Sequence, residues 1–147
     1  MTITQNGTNN EAEIRELIDR FAKAFRAKDV NGIMSFFAPE IVSFDIVPPL
    51  AAVGAEIFVT HWQEFFAAYQ SLDVEFPDVI ITAGDDVAFS HCLHRVKGTL
   101  KNGQQTDWWL RWTAGYRKTN GKWLIVHEQV SVPIDLKSGK AMLDLKP

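Results

Sequence analysis

The chain holds a single cysteine, Cys92, among its 147 residues. One thiol excludes an intrachain disulfide and a cysteine-built zinc cluster. No apolar run approaches the roughly 20 residues that cross a bilayer. The first ten residues are polar and lack the charged-then-apolar pattern of a secretory leader. With one thiol and no such leader, a cytoplasmic protein is expected. There is no glycine-rich loop to cradle phosphate and no spaced set of metal ligands, so neither a metal nor an organic cofactor is expected. Positive charge is also short: 15 Lys and Arg face 18 Asp and Glu, a net charge of -3. That balance argues against a nucleic-acid partner, and no run of like charge marks a membrane-binding surface.

Bulky apolar material is plentiful. Hydrophobic residues make up 46% of the chain, with 10 Phe and 5 Trp, enough for one domain with a substantial core or an aromatic-walled pocket. Residues 1 to 10 read as a flexible tail and residues 11 to 147 as a single domain. After Asn10, a fair N-cap, Ile14, Leu17, Ile18, Phe21 and Phe25 recur at helical spacing. Asp29 opens a short helix through Ile33, Phe36 and Phe37 that Pro39 ends. A strand is expected over 41 to 46, broken by Pro48-Pro49, then a third helix over 55 to 69. The period then changes to two. Strands are expected over 72 to 82, 86 to 99, 106 to 118 and 122 to 132, with Asn102-Gly103 and Asn120-Gly121 as hairpin turns. Large residues on both faces of these strands suggest a sheet covered by helices on one side and a second subunit on the other. The fold class is therefore α+β.

Three segments carry a resemblance: residues 27 to 32 (Ala-Lys-Asp-Val-Asn-Gly), Ser43-Phe44-Asp45, and the hairpin from Tyr116 to Trp123 followed by Val126-His127-Glu128-Gln129. Together with the element order, they resemble the nuclear-transport-factor-2-like superfamily, which includes ketosteroid isomerases, SnoaL-like polyketide cyclases and the association domain of calcium/calmodulin-dependent kinases. The resemblance implies a curved, mostly antiparallel sheet wrapped as a cone around the N-terminal helices, a pocket inside the cone, and a homodimer through the convex face. It implies a small apolar or carbonyl-containing ligand, and two readings of function. One is a cofactor-independent acid–base isomerase, cyclase or lyase; the other is a non-catalytic ligand-binding or oligomerisation module.

Asp45 matches the general base of the isomerases. Between Phe44 and Ile46, a carboxylate has apolar neighbours that raise its pKa toward useful values; a strand-end Asp that caps a turn is the plain alternative. The isomerase tyrosine corresponds to Phe21 and its second carboxyl to Thr113, so a true steroid isomerase is not expected. Period two places Trp109, Arg111 and Thr113 on one face. If Thr113 faces the cone, as the resemblance implies, Arg111 does too, either to hold an oxyanion or to pair with Asp45 or Glu128. The resemblance also turns Glu128 inward, an assignment that a one-residue bulge would reverse. It makes the face of Phe89, His91, Leu93 and Arg95 the pocket face, so that His91 could partner Asp45. His91 and His94 fall on opposite faces, which argues against a shared metal. Trp62 belongs to the apolar stripe of the third helix and reads as pocket wall, while His61 lies off that stripe.

Overall fold

The computed structural model describes residues 3 to 147, with side chains from residue 9 onward. Helix α1 (Ile3–Arg26) buries the stripe Ile14, Leu17, Ile18, Phe21 and Phe25 against a sheet. Because it begins at Ile3, Asn10 is inside the helix and caps nothing; residues 3 to 10 of the expected tail are helical, while Met1 and Thr2 lie outside the described residues. Asn10 is buried instead by tertiary partners. Its amide donates to the Gly84 carbonyl at 2.9 Å and its oxygen accepts from Lys118 Nζ at 3.1 Å. One turn on, Glu13 Oε2 accepts from Lys118 Nζ at 3.0 Å and from Trp123 Nε1 at 2.9 Å. These contacts fasten the helix across one end of the sheet.

Helix α2 (Val30–Met34) is capped by Asp29, whose Oδ1 accepts from Gly32 N at 2.9 Å. It stops short of Phe36 and Phe37; Phe37 instead opens strand β1 (Phe37–Phe44). Pro39 therefore lies inside a strand rather than ending a helix. Its missing N–H is tolerated because pairing is irregular there: Phe37 pairs with Ile125, and the next partners are Val42 and His127. A two-residue strand β2 (Ala52–Val53), which the sequence reading missed, pairs with β1, and helix α3 (Ala55–Ala68) follows.

The run expected as one strand over 72 to 82 is two: β3 (Tyr69–Glu75) and β4 (Ile80–Ala83). Pro77 and the left-handed Asp78 (φ 52°) interrupt it. Both pieces pair antiparallel with the long strand β5 (Val87–Leu100). Strands β6 (Gln105–Thr119) and β7 (Lys122–Ser131) follow, joined by a tight turn in which Asn120 and Gly121 both have positive φ (51° and 76°). The sheet order is β2-β1-β7-β6-β5-β3, with β4 also on β5. Among the described residues, only the β1–β7 pair of this sheet is parallel. A small hairpin, β8 (Ile134–Asp135) and β9 (Lys140–Ala141), ends the chain's regular structure. The large sheet is curved and unclosed, with α1 and α3 against its concave face. Among the described residues, no helix is long and apolar enough to cross a membrane.

Gly98 permits a close approach of β3 to β5. A Cβ there would lie 2.6 Å from the Tyr69 ring and 2.8 Å from the Ser71 carbonyl. Neither can move easily: Tyr69 is buried, and its hydroxyl is 3.2 Å from Thr106 Oγ1. Gly98→Ala should therefore cost about 1–3 kcal/mol in urea unfolding. An unchanged midpoint would show that β3 does not need this close approach.

Candidate functional site

The concave face, α1 and α3 enclose a cavity of about 530 Å³. Its wall follows from strand alternation. On β6, Thr106, Leu110, Trp112, Ala114 and Tyr116 are buried, while Asp107, Arg111, Thr113 and Arg117 are exposed. Even-numbered residues thus face inward, and Trp108, Leu110 and Trp112 line the cavity. On β5 the inward set is also even. Cys92 pairs with Trp112 and His94 with Leu110, so cross-strand neighbours share the face.

This register overturns part of the site expected from sequence. Trp109, Arg111, Thr113 and His91 line a groove on the opposite, convex face. Arg111 Nε donates to Ser131 Oγ at 3.1 Å and does not pair with Asp45. The physical reason is plain: an inward Arg111 would bury an unpaired guanidinium, while the outward one stays in water. Phe21, Asp45, Trp62 and Glu128 do line the cavity. So do His94, which the sequence reading had placed on the other face, and His61, which it had placed off the apolar stripe of the third helix.

Glu128 lies at the cavity floor. It is 4% exposed, opposite Ser43 on β1 and Ala114 on β6. Trp112 Nε1 donates to its Oε2 at 3.0 Å and Ser43 Oγ to its Oε1 at 3.3 Å. Burial raises its pKa to about 7, the two hydrogen bonds oppose this, and the neighbouring charge of Asp45 reinforces it. Asp45 follows β1 two residues after Ser43, on the same face and nearer the mouth, where Ile46 to Pro49 are exposed. Its Oδ1 accepts from Ile46 N at 2.6 Å. Partial burial raises its pKa, against the lowering effects of that hydrogen bond and the His61 imidazole.

His94 is 7% exposed, with its ring stacked on Phe76 at 5.5 Å. Burial pushes its pKa down to about 4, so it is neutral at pH 7. Three buried polar atoms have no hydrogen-bond partner among the described residues: His61 Nδ1, Trp62 Nε1 and His94 Nδ1. All three belong to residues that line this one cavity. Around them the wall is aromatic, with Phe21 stacked on Trp112 at 6.1 Å and edge-on to Trp62 at 6.0 Å.

The two buried groups pull stability in opposite directions with pH. Between about 4.5 and 7, folded Glu128 keeps a proton that the unfolded chain has lost, so its contribution falls as pH rises. Between about 4 and 6.5, folded His94 refuses a proton that the unfolded chain binds, so its contribution falls as pH drops. Where the windows overlap, they cancel. Relative to the parent protein, Glu128→Gln should gain stability with rising pH, on the order of 3 kcal/mol across its window, and His94→Phe should lose a similar amount across its own. Urea unfolding from pH 4 to 7.5 reads both differences. Parallel profiles for all three proteins would show that neither group is shifted.

Comparison with known proteins agrees with this architecture. A family model described as a SnoaL-like domain matches residues 14–135. An NTF2-like protein of unknown function from Pseudomonas putida KT2440 is 33% identical over 95% of this chain and 98% of its own, with a TM-score of 0.87. A proposed calcium/calmodulin-dependent protein kinase II association domain from Xanthomonas campestris is 22% identical, covering 90% and 88% of the two chains, with a TM-score of 0.74. A proposed scytalone dehydratase from Novosphingobium aromaticivorans is 8% identical over 88% and 87%, with a TM-score of 0.81. These last two share the fold alone. No match is found among curated proteins. The match over most of the chain, and the fold that carries it, make this protein a member of the SnoaL-like family with a nuclear-transport-factor-2-like fold.

Proposed function

We propose that the protein is a cofactor-independent acid–base enzyme that moves a proton next to a carbonyl group inside the cone. The observation that carries this reading is the pair of unlike carboxyls in one aromatic cavity. Asp45, nearer water, ionises first and is the base. Glu128, at the floor, loses its proton only around pH 7 and, while protonated, is the acid or oxyanion donor. The Trp62 N–H, and neutral His94 in the tautomer that carries its proton on Nδ1, are further donors to a developing enolate oxygen. This replaces the oxyanion role expected of Arg111 and the partnership with Asp45 expected of His91, both of which face away. The outward Trp109 leaves the cone open, which supports a ligand-binding site over a scaffold whose cone is filled by its own side chains.

The test needs an enolisable apolar ketone, for which 2-tetralone serves. Its exchange of α-protons in deuterated water, followed by proton NMR, should be faster with the protein than in buffer. Asp45→Asn should reduce the excess rate by about 10² to 10⁴, and Glu128→Gln should also reduce it. Arg111→Gln should leave it unchanged. No acceleration by the parent protein, or full activity in Asp45→Asn, would end the proposal.

The homodimer has separate support. Val87, Phe89 and Leu93 on β5 and Ile80 beside them expose apolar side chains on the convex face (58, 48, 43 and 56%). A second copy covering them would bury about 800 Å² on each partner. Sedimentation at micromolar concentration should give a dimer, and Leu93→Asp a monomer. A monomeric parent would refute it.

A further inference from the structure

We infer that the cavity takes a carbonyl compound that also carries a protonated amine, with the ammonium at the mouth beside Asp45 and Glu64 and the carbonyl deeper in. This deepens the acid–base reading and rests on its assignment of this cavity as the ligand site.

The sign of the lining is the first observation. Its acids are Asp45, Glu64 and Glu128, and no lysine or arginine lines it among the described residues. The ion pairs of the described residues lie elsewhere: Arg26 with Asp73, Arg95 with Glu75 and Asp107, Lys97 with Asp73 and Glu75, and Lys118 with Glu13. Two cations reach the backbone of wall residues without lining the cavity. Arg26 Nη2 donates to the Val74 carbonyl at 2.6 Å, and Lys28 Nζ to the Tyr69 carbonyl at 2.8 Å. His94 supplies no charge, since burial keeps it neutral. The cavity therefore presents carboxyls and no basic side chain to answer them apart from His61.

Position is the second. On α3, His61, Glu64, Phe65 and Ala68 recur at helical spacing and all line the cavity. Glu64 is exposed, so it stands at the rim. One turn before it, His61 lies close enough to Asp45 to act on that carboxyl. The two acids thus border the same part of the mouth. An ammonium seated there keeps part of its hydration, so its desolvation costs little, and it meets two carboxylates. It also holds Asp45 ionised, the form a base needs, against the burial that disfavours that charge. The rings of Trp62 and Phe65, edge-on at 6.0 Å, flank Glu64 in the helix and attract a cation by their faces.

The other end of the ligand is marked independently of the acids. Trp62 Nε1 and His94 Nδ1 are buried without a partner among the described residues, and the His94 ring is only 7% exposed. The indole N–H only donates, so an ammonium leaves it unmatched and a carbonyl oxygen satisfies it. Positive charge and oxygen acceptor are thus required at different depths of one cavity. A ligand carboxylate meets repulsion at the rim in place of attraction.

Three acetophenones of similar shape separate the charges by titration calorimetry at pH 7.5: 4-acetylbenzylammonium, 4-ethylacetophenone and 4-acetylbenzoate. At about 20 mM salt the ammonium should bind at least about fivefold tighter than the neutral ketone, with the carboxylate weakest, and about 0.5 M salt should erase most of that preference. Glu64→Gln should weaken the ammonium about threefold and leave the neutral ketone's affinity unchanged. Glu64→Lys should abolish the preference. Glu56→Lys makes the same change of net charge at an exposed position of α3 that does not line the cavity, and should retain it. Neutral or carboxylate probes that bind as tightly as the ammonium, a preference that survives Glu64→Lys, an equal loss in Glu56→Lys, or no binding of any probe would overturn the inference. The two proposals fail separately. A protein that exchanges 2-tetralone protons yet ranks the three probes without regard to charge loses only this inference. One that ranks them as expected yet exchanges nothing loses only the enzymatic reading.

Discussion

One unpaired residue, Val126, determines which side chains of β7 reach the cavity. Gly115 of β6 pairs with His127 and Tyr116 with Ile125, so Val126 has no partner across that ladder. Such a bulge shifts the alternation of a strand by one. Before it, the odd residues Trp123 and Ile125 face inward, beneath α1. Beyond it, the even residues Glu128 and Val130 do. With unbroken alternation, His127 and Gln129 would enter the cone and the carboxyl would point away. The other neighbour of β7 is irregular at the same level, where β1 passes from Phe37 to Val42 while β7 advances from Ile125 to His127. Bulges bend a strand and increase its twist. Irregular pairing on both sides of β7 thus combines the bend that opens the cone with the change of face that delivers Glu128 to its floor.

Much of the fold is legible in the sequence because burial imposes a period. The heavy stripe of α1 and the alternation of β5 and β6 are strong enough to place the elements. Breaks in the chain are harder to read. Pro39 ends no helix because an irregular stretch of strand tolerates its missing N–H, and Pro77 with Asp78 divides a run whose composition is β-rich throughout. Neither outcome is visible without knowing what pairs beside it.

The site was partly legible, and its main error is instructive. In β6 the even positions, Thr106, Trp108, Leu110, Trp112, Ala114 and Tyr116, are the more apolar set, and the odd ones include Asp107, Arg111 and Arg117. Alternation alone therefore pointed Arg111 outward. Matching Thr113 to an inward carboxyl of a distant relative reversed the strand, and carried His91 inward in place of His94 with it. A guanidinium costs more to bury than an indole, and that cost outweighs a one-position correspondence. Residue chemistry was the better guide to facing, whereas the bulge at Val126 left no mark in residue chemistry. His61 was missed for a different reason: a residue at the edge of a helical stripe can still line a cavity that opens beside it.

On the proposed reading, the depth of the two carboxyls accounts for a base and an acid in one cavity. Were Asp45 and Glu128 equally buried, neither would have reason to ionise first, and the pair would share protons. Their surroundings differ. Asp45 is half-buried near the mouth, with the Ile46 N–H at 2.6 Å to stabilise its anion. Glu128 is enclosed by Trp112, Ser43 and Ala114. Charge therefore settles at the mouth, and once there it raises the cost of charging the floor. His94 cannot relieve this by taking the Glu128 proton, because burial makes it the weaker base of the two. A ligand entering past Asp45 meets a negative charge first and the Trp62 N–H and the less readily ionised Glu128 deeper in. On the proposed acid–base reading, that gradient would orient a carbonyl with its oxygen inward and its acidic C–H toward the mouth, the arrangement proton abstraction requires.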